Sequence, residues 1–137
     1  MTCAAPRDSA GVGRATARAF AREGAALGLI ARGRDGLDAA RAEIEALGGR
    51  SVAIEVDVAD GERVEHAAER FESELGPFDV WVNDAMASVF APVEQTTAEE
   101  YRRVTEVTYL GSVHGTLPAL RFMRKRVRGV IIQVGSA

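Results

Sequence analysis

The chain has 137 residues, 47% hydrophobic and 27% charged, which suits one domain with a buried core. Its net charge of −3 argues against a nucleic-acid binder, and no apolar run is long enough to cross a bilayer. The N-terminus lacks the apolar core of a signal peptide, and the single Cys3 can form neither an internal disulfide nor a cysteine metal cluster, so the expected compartment is the cytoplasm.

Met1 to Ala5 precede Pro6, so a strand ahead of the first helix can only be short and weakly apolar, from Thr2 to Ala5. The stretch opening at Ser9 then carries Gly11, Val12 and Gly13, followed at once by a helical pattern in which Val12, Ala15, Ala19 and Phe20 share a face. Glycines let a backbone turn tightly and a ligand come close. A helix N-terminus offers N–H groups and a partial positive charge, which suit a phosphate. Ser9, Gly11, Val12 and Gly13 are therefore the expected phosphate-binding stretch. The helix should run from about Ala10 to Glu23 and stop at Gly24.

Ala26 to Ala31 is short and almost wholly apolar, the mark of a strand buried on both faces. Asp35 is placed to cap a helix with the stripe Leu37, Ala40, Ile44 and Leu47, stopped by Gly48-Gly49. Ser51 to Val58 alternates apolar and polar residues and reads as an edge strand. Asp60 opens a third helix with the stripe Val64, Ala67, Ala68, Phe71 and Leu75, ended by Gly76-Pro77. Asp79 to Asn83 is a further buried strand, and Ala87 to Gln95 a loop. Thr97 and Glu100 form a capping box before one long helix, with Tyr101, Val104, Thr108, Gly111, Gly115 and Ala119 on one side, a bend at Pro118 and an end at Gly129. Val130 to Val134 is the last strand.

Alternating strands and helices of crossover length predict a three-layer, doubly wound parallel α/β sheet of the Rossmann type, one domain over 1–137, with about five strands. Ligands of such sheets lie beyond the carboxyl ends of the strands. Here those ends carry Pro6 to Gly13, Ala31-Arg32, Asp57-Val58, Asn83 to Met86 and Gly135-Ser136.

In this order the motifs resemble the short-chain dehydrogenase/reductase family, from about Ser9 to Ala137. Gly11 and Gly13 match the last two glycines of its T-G-x-x-x-G-x-G turn, while Pro6 and Arg7 replace the threonine and first glycine. Asp57-Val58 is similar to the family's adenine-contacting Asp after the third strand. Asn83 and Ala85 match the N-N-A-G motif, in which Asp84 and Met86 depart. Thr108 stands where the family often has the Asn of its proton relay, and Ser136 matches its catalytic serine. The family's Tyr-x-x-x-Lys is absent from the 137 residues: four positions after Tyr101 and Tyr109 stand Thr105 and Val113.

The resemblance implies hydride transfer between a nicotinamide and a small carbonyl or alcohol substrate. Two readings follow. The chain is the NAD(P)(H)-binding portion of such an oxidoreductase, or a truncated or degenerate nucleotide-binding module. Without the Tyr and Lys, no turnover is expected of the chain alone. NADP(H) is expected over NAD(H): where NAD-preferring members place an acid stands Ala31, followed by Arg32 and then Arg34, and an arginine can hold a 2′-phosphate. His66 and His114 have no second ligand at metal spacing, and no metal is expected. The basic run from Arg121 to Arg128 reads as a solvated helix end. Gly111 and Gly115 either seat the helix on the sheet or form a homo-oligomer contact through the 97–126 helix.

Overall fold

A computed structural model describes residues 11–135. The strand expected at Thr2 to Ala5, the phosphate-loop residue Ser9 and the serine Ser136 lie outside the described residues. The elements are α1 (Val12–Arg22), β1 (Leu27–Ala31), α2 (Arg34–Ala46), β2 (Ser51–Glu55), α3 (Gly61–Leu75) and β3 (Val80–Asn83). After a short 3-10 turn at Val93–Gln95 come α4 (Ala98–Val104), a π-helical segment (Thr105–Leu110), α5 (Gly111–Arg126) and β4 (Val130–Gln133).

β1 pairs with β2 in parallel, Leu27 opposite Ser51 and Ala31 opposite Glu55. β3 pairs with β4 in parallel, Val80 opposite Val130 and Asn83 opposite Gln133. Alternation along the strands sends neighbouring side chains to opposite faces. Leu27, Leu29 and Val82 pack with Ala17, Ala21, Leu37 and Ile44 of α1 and α2. Ile30 and Trp81 instead pack with Val64, Ala67, Phe71, Ala119 and Met123 of α3 and α5. Both strand pairs thus contribute to both cores, and helices cover both faces: the three-layer α/β arrangement that the strand–helix alternation predicts.

Local chemistry sets most boundaries. The Asp60 side chain accepts from the Arg63 N–H at the start of α3. Thr97 and Glu100 form both bonds of the capping box at α4. Gly76 closes α3 at φ 84°, a backbone angle glycine adopts without strain.

Three expectations are corrected. Asp35 does not cap α2, whose N-cap is Gly33, two residues earlier; Asp35 lies in the first turn, where its charge complements the helix dipole. The long helix is not one α-helix. Thr105–Leu110 is π-helical, and its wider turn rotates the two sides out of phase. Tyr101 is consequently exposed, while Val107, Gly111, Gly115 and Ala119 are buried. α5 runs unbroken through the buried Pro118. Finally, Val127, not Gly129, ends the helix. It takes the left-handed conformation at φ 52°, with its N–H on Arg124 O (3.2 Å) and the Arg128 N–H on Met123 O (3.3 Å). That is the double bond of a Schellman cap, with a β-branched residue where glycine is favoured.

Candidate functional site

The carboxyl ends of the strands carry three groupings. The first surrounds Asn83, at the end of β3 and only 7% exposed. Its Oδ1 accepts from Trp81 Nε1 (2.9 Å), and its Nδ2 donates to Thr116 Oγ1 (3.0 Å) and to Ser112 O (3.3 Å). Gln133 Nε2 also donates to Thr116 Oγ1 (3.0 Å), so one network ties β3, α5 and β4. The geometry requires glycine at 115, because a Cβ there would collide with Asn83 Oδ1 and stand 2.7 Å from Trp81 Nε1. Gly111 similarly faces Val58, whose Cγ2 would lie 2.7 Å from an added Cβ. Both glycines therefore seat the helix on its neighbours. The buried amide is satisfied, as a buried polar group must be.

The second grouping is the start of α1. Gly11, exposed, is its N-cap and supplies no side-chain bond; Val12 is exposed and Gly13 buried. No acidic side chain lies in the first turn. The Gly13 N–H reaches the carboxyl of Asp84. Burial pushes that carboxyl above the ordinary aspartate range, with the Gly13 N–H opposing the shift. Ala85, next in the chain, is half-buried. Beyond it, Thr108 Oγ1 accepts from the Ala87 N–H (3.0 Å) and donates to Ala87 O (3.1 Å), fastening the loop after β3 to the π-helical turn.

The third grouping follows β2. Asp57 Oδ1 accepts from the Ala59 N–H (3.0 Å), and Oδ2 is 2.7 Å from Arg103 Nη2 of α4. Burial pushes the Asp57 carboxyl up, but the Ala59 N–H, the Arg103 guanidinium and the charge of Arg32 outweigh it and hold the carboxyl below its usual range. Val58 O accepts from His114 Nδ1 (2.7 Å), which puts the ring proton on Nδ1 and makes His114 a packing residue. Arg32 is exposed; Arg34, its side chain 76% exposed, lies 3.8 Å from Asp38. Among the described residues no three His, Cys, Asp or Glu gather into a metal site. No described helix is long and apolar enough to cross a membrane.

A family model described as short chain dehydrogenase matches residues 8–137. The chain belongs to the short-chain dehydrogenase family. It is 36% identical over 134 residues to the 3-oxoacyl-[acyl-carrier-protein] reductase of Bos taurus, covering 98% of this chain and 55% of that one. The 3-ketoacyl-ACP reductase of Sinorhizobium meliloti superposes with a TM-score of 0.91 at 27% identity, over 99% of this chain and 54% of that one. An NAD+-bound xylitol dehydrogenase gives 0.92 at 26% identity, over 98% and 52%. The chain thus spans about half the length of these relatives.

In this chain the expected residues sort by position. Gly11 to Gly13 open α1, and Asn83 to Ala85 follow β3, joined to α1 through Asp84 and Gly13. Asp57 and Arg32 are joined electrostatically, while Arg34 points to Asp38. The basic run is not merely solvated: Arg126 bonds Glu72 (2.5 Å) and Phe78 O (2.7 Å), and Arg121 pairs with Glu65 and Glu69 of α3. Arg103 and its bond to Asp57 have no local signal in the sequence, because the partners stand 46 positions apart.

Proposed function

We propose that this chain carries the dinucleotide-binding portion of an NAD(P)(H)-dependent oxidoreductase that acts on a small carbonyl or alcohol. When bound, the nicotinamide would supply or accept the hydride. The chain's own residues would hold the rest of the molecule. Gly11, Val12 and Gly13, with Ser9 before them, would offer the start of α1 to the pyrophosphate. Asp57 and the Val58 backbone would receive the adenine, while Asn83 and Ala85 would fix the end of β3 beneath it. Ser136 would hold the substrate oxygen. The observation that carries this reading is the rim itself: an N-terminus without a side-chain cap, a half-exposed carboxylate at the end of β2 and a locked asparagine at the end of β3. The 137 residues contain no Tyr-x-x-x-Lys, so binding without turnover is proposed for this chain by itself.

NADP(H) is proposed over NAD(H). After β1 the exposed Arg32 and Arg34 carry positive charge, whereas Asp35 is drawn into the first turn of α2. An arginine can hold a 2′-phosphate through charge-assisted bonds worth about 1.5–3 kcal/mol, roughly ten- to a hundredfold in affinity. Calorimetric titration of NADPH and NADH against the parent and Arg32→Asp, at low and high salt, checks this. The expected result is tighter NADPH binding that Arg32→Asp abolishes. A parent that prefers NADH would refute it. A cytoplasmic location and a second copy docking on the α4–α5 side complete the proposal; Tyr109, Leu117 and Leu120 lie exposed there.

A further inference from the structure

We infer that Arg103 is a positioning residue for adenine recognition: it holds the Asp57 carboxylate so that the free lone pairs accept the exocyclic amine. This rests on the dinucleotide reading above and extends it to a residue on α4, outside the loop that follows β2.

The geometry supports it in three steps. A carboxylate has two oxygens and about four lone-pair sites. The Ala59 N–H takes one site on Oδ1 at 3.0 Å, and Arg103 Nη2 takes one on Oδ2 at 2.7 Å. One site on each oxygen is left, in a group whose two rotations are both fixed. Without Arg103, only the Ala59 bond would restrain the carboxylate.

The placement of Arg103 is itself determined. The Thr97–Glu100 capping box fixes where α4 begins, and Arg103 lies in its last turn. The π-helical segment then detaches the phase of α4 from that of α5, which Gly111 and Gly115 lock in place. α4 can therefore face Asp57 while α5 faces Asn83.

A contribution to stability does not account for the pair. The Arg103 and Asp57 side chains are 34% and 33% exposed, and a screened pair of this kind adds little to folding. An acceptor held in place before its donor arrives avoids the loss of rotational freedom on binding.

The test compares NADPH with its hypoxanthine analogue, in which a carbonyl oxygen replaces the amine. Both are titrated against the parent, Arg103→Gln, Arg103→Lys, Asp57→Asn and the Arg103→Gln/Asp57→Asn double variant. The parent should prefer the adenine dinucleotide by roughly tenfold, the scale of a hydrogen bond to a charged group. Arg103→Gln should bring the ratio close to one, and Arg103→Lys should restore part of it. In the Asp57→Asn background the Arg103→Gln change should have no further effect on the ratio. A purely structural link between α4 and β2 would weaken both dinucleotides equally and leave the ratio intact, which would overturn the inference. A parent without adenine preference would overturn it too, while leaving dinucleotide binding standing. If no dinucleotide binds the parent, both readings fall.

Discussion

Asn83 and Asp57 end neighbouring parts of the same rim and are held in opposite ways. Asn83 is neutral, buried and bonded by Trp81, Ser112 and Thr116. Asp57 is charged, half-exposed and held by one N–H and one guanidinium. A buried amide with all its partners in place contributes rigidity and can give none of those bonds to a ligand. A half-exposed carboxylate contributes little stability and keeps acceptor sites open. One rim can therefore pair a fixed scaffold with an available acceptor, provided that each is held by its own helix: Asn83 by α5 and Asp57 by α4.

The largest break in this contrast should come from Gly115→Ala. The added Cβ would push Asn83 away from Trp81, combining overpacking with a broken buried network. A loss of about 3 kcal/mol is expected, read by urea unfolding monitored through Trp81. A variant as stable as the parent would show that α5 can shift outward at no cost.

Val127→Gly should act in the other direction and away from the rim. The 94% exposed Val127 has only its left-handed backbone to lose, so glycine should stabilise by about 1 kcal/mol without changing any dinucleotide affinity. Thermal unfolding checks the sign.

The smallest effects separate the two aspartates by pH. Asp84 holds its proton to a higher pH in the folded state, so it weakens folding once the pH has risen through its folded value, and not below the ordinary aspartate range. Asp84→Asn should therefore stabilise at neutral pH, with the gain vanishing in acid. Asp57 has the opposite sign: its depressed value contributes stability above the ordinary range that is lost as pH falls through the folded value. Asp57→Asn should destabilise at neutral pH and converge with the parent in acid. Each change should stay within about 0.5 kcal/mol, given the solvent screening. Parallel pH–stability curves for the two variants would contradict both assignments.

Much of this was legible in the sequence because it is local. Asp60 and the Thr97–Glu100 pair cap their helices through partners three residues away. The apolar run ending at Ala31 became a buried strand, as its composition required. The misread features depend on distant partners or on irregular backbone. The phase of Tyr101 was wrong because the π-helical segment interrupts the 3.6-residue period on which the stripe was drawn. The end of α5 at Val127 was missed because a β-branched residue there takes the left-handed conformation that glycine usually supplies, so the later Gly129 looked like the stop. The order of the glycines, Asp57 and Asn83 along the chain was visible, but the arginine that reaches Asp57 was not.

The π-helical turn also bears on how this chain can tolerate changes in length. Each residue of an α-helix advances the face by about 100°. Deleting one position within Thr105–Leu110 would let α4 and α5 fuse into a single regular rod, and would swing Arg103 about a quarter-turn off the carboxylate. An insertion in the exposed loop before Val93–Gln95 carries no such rotation, since the capping box resets the helix afterwards. Two indels of equal size, about a dozen residues apart, would thus have unequal consequences: one alters only a loop, the other the alignment of Arg103 with Asp57 relative to α5 and Asn83.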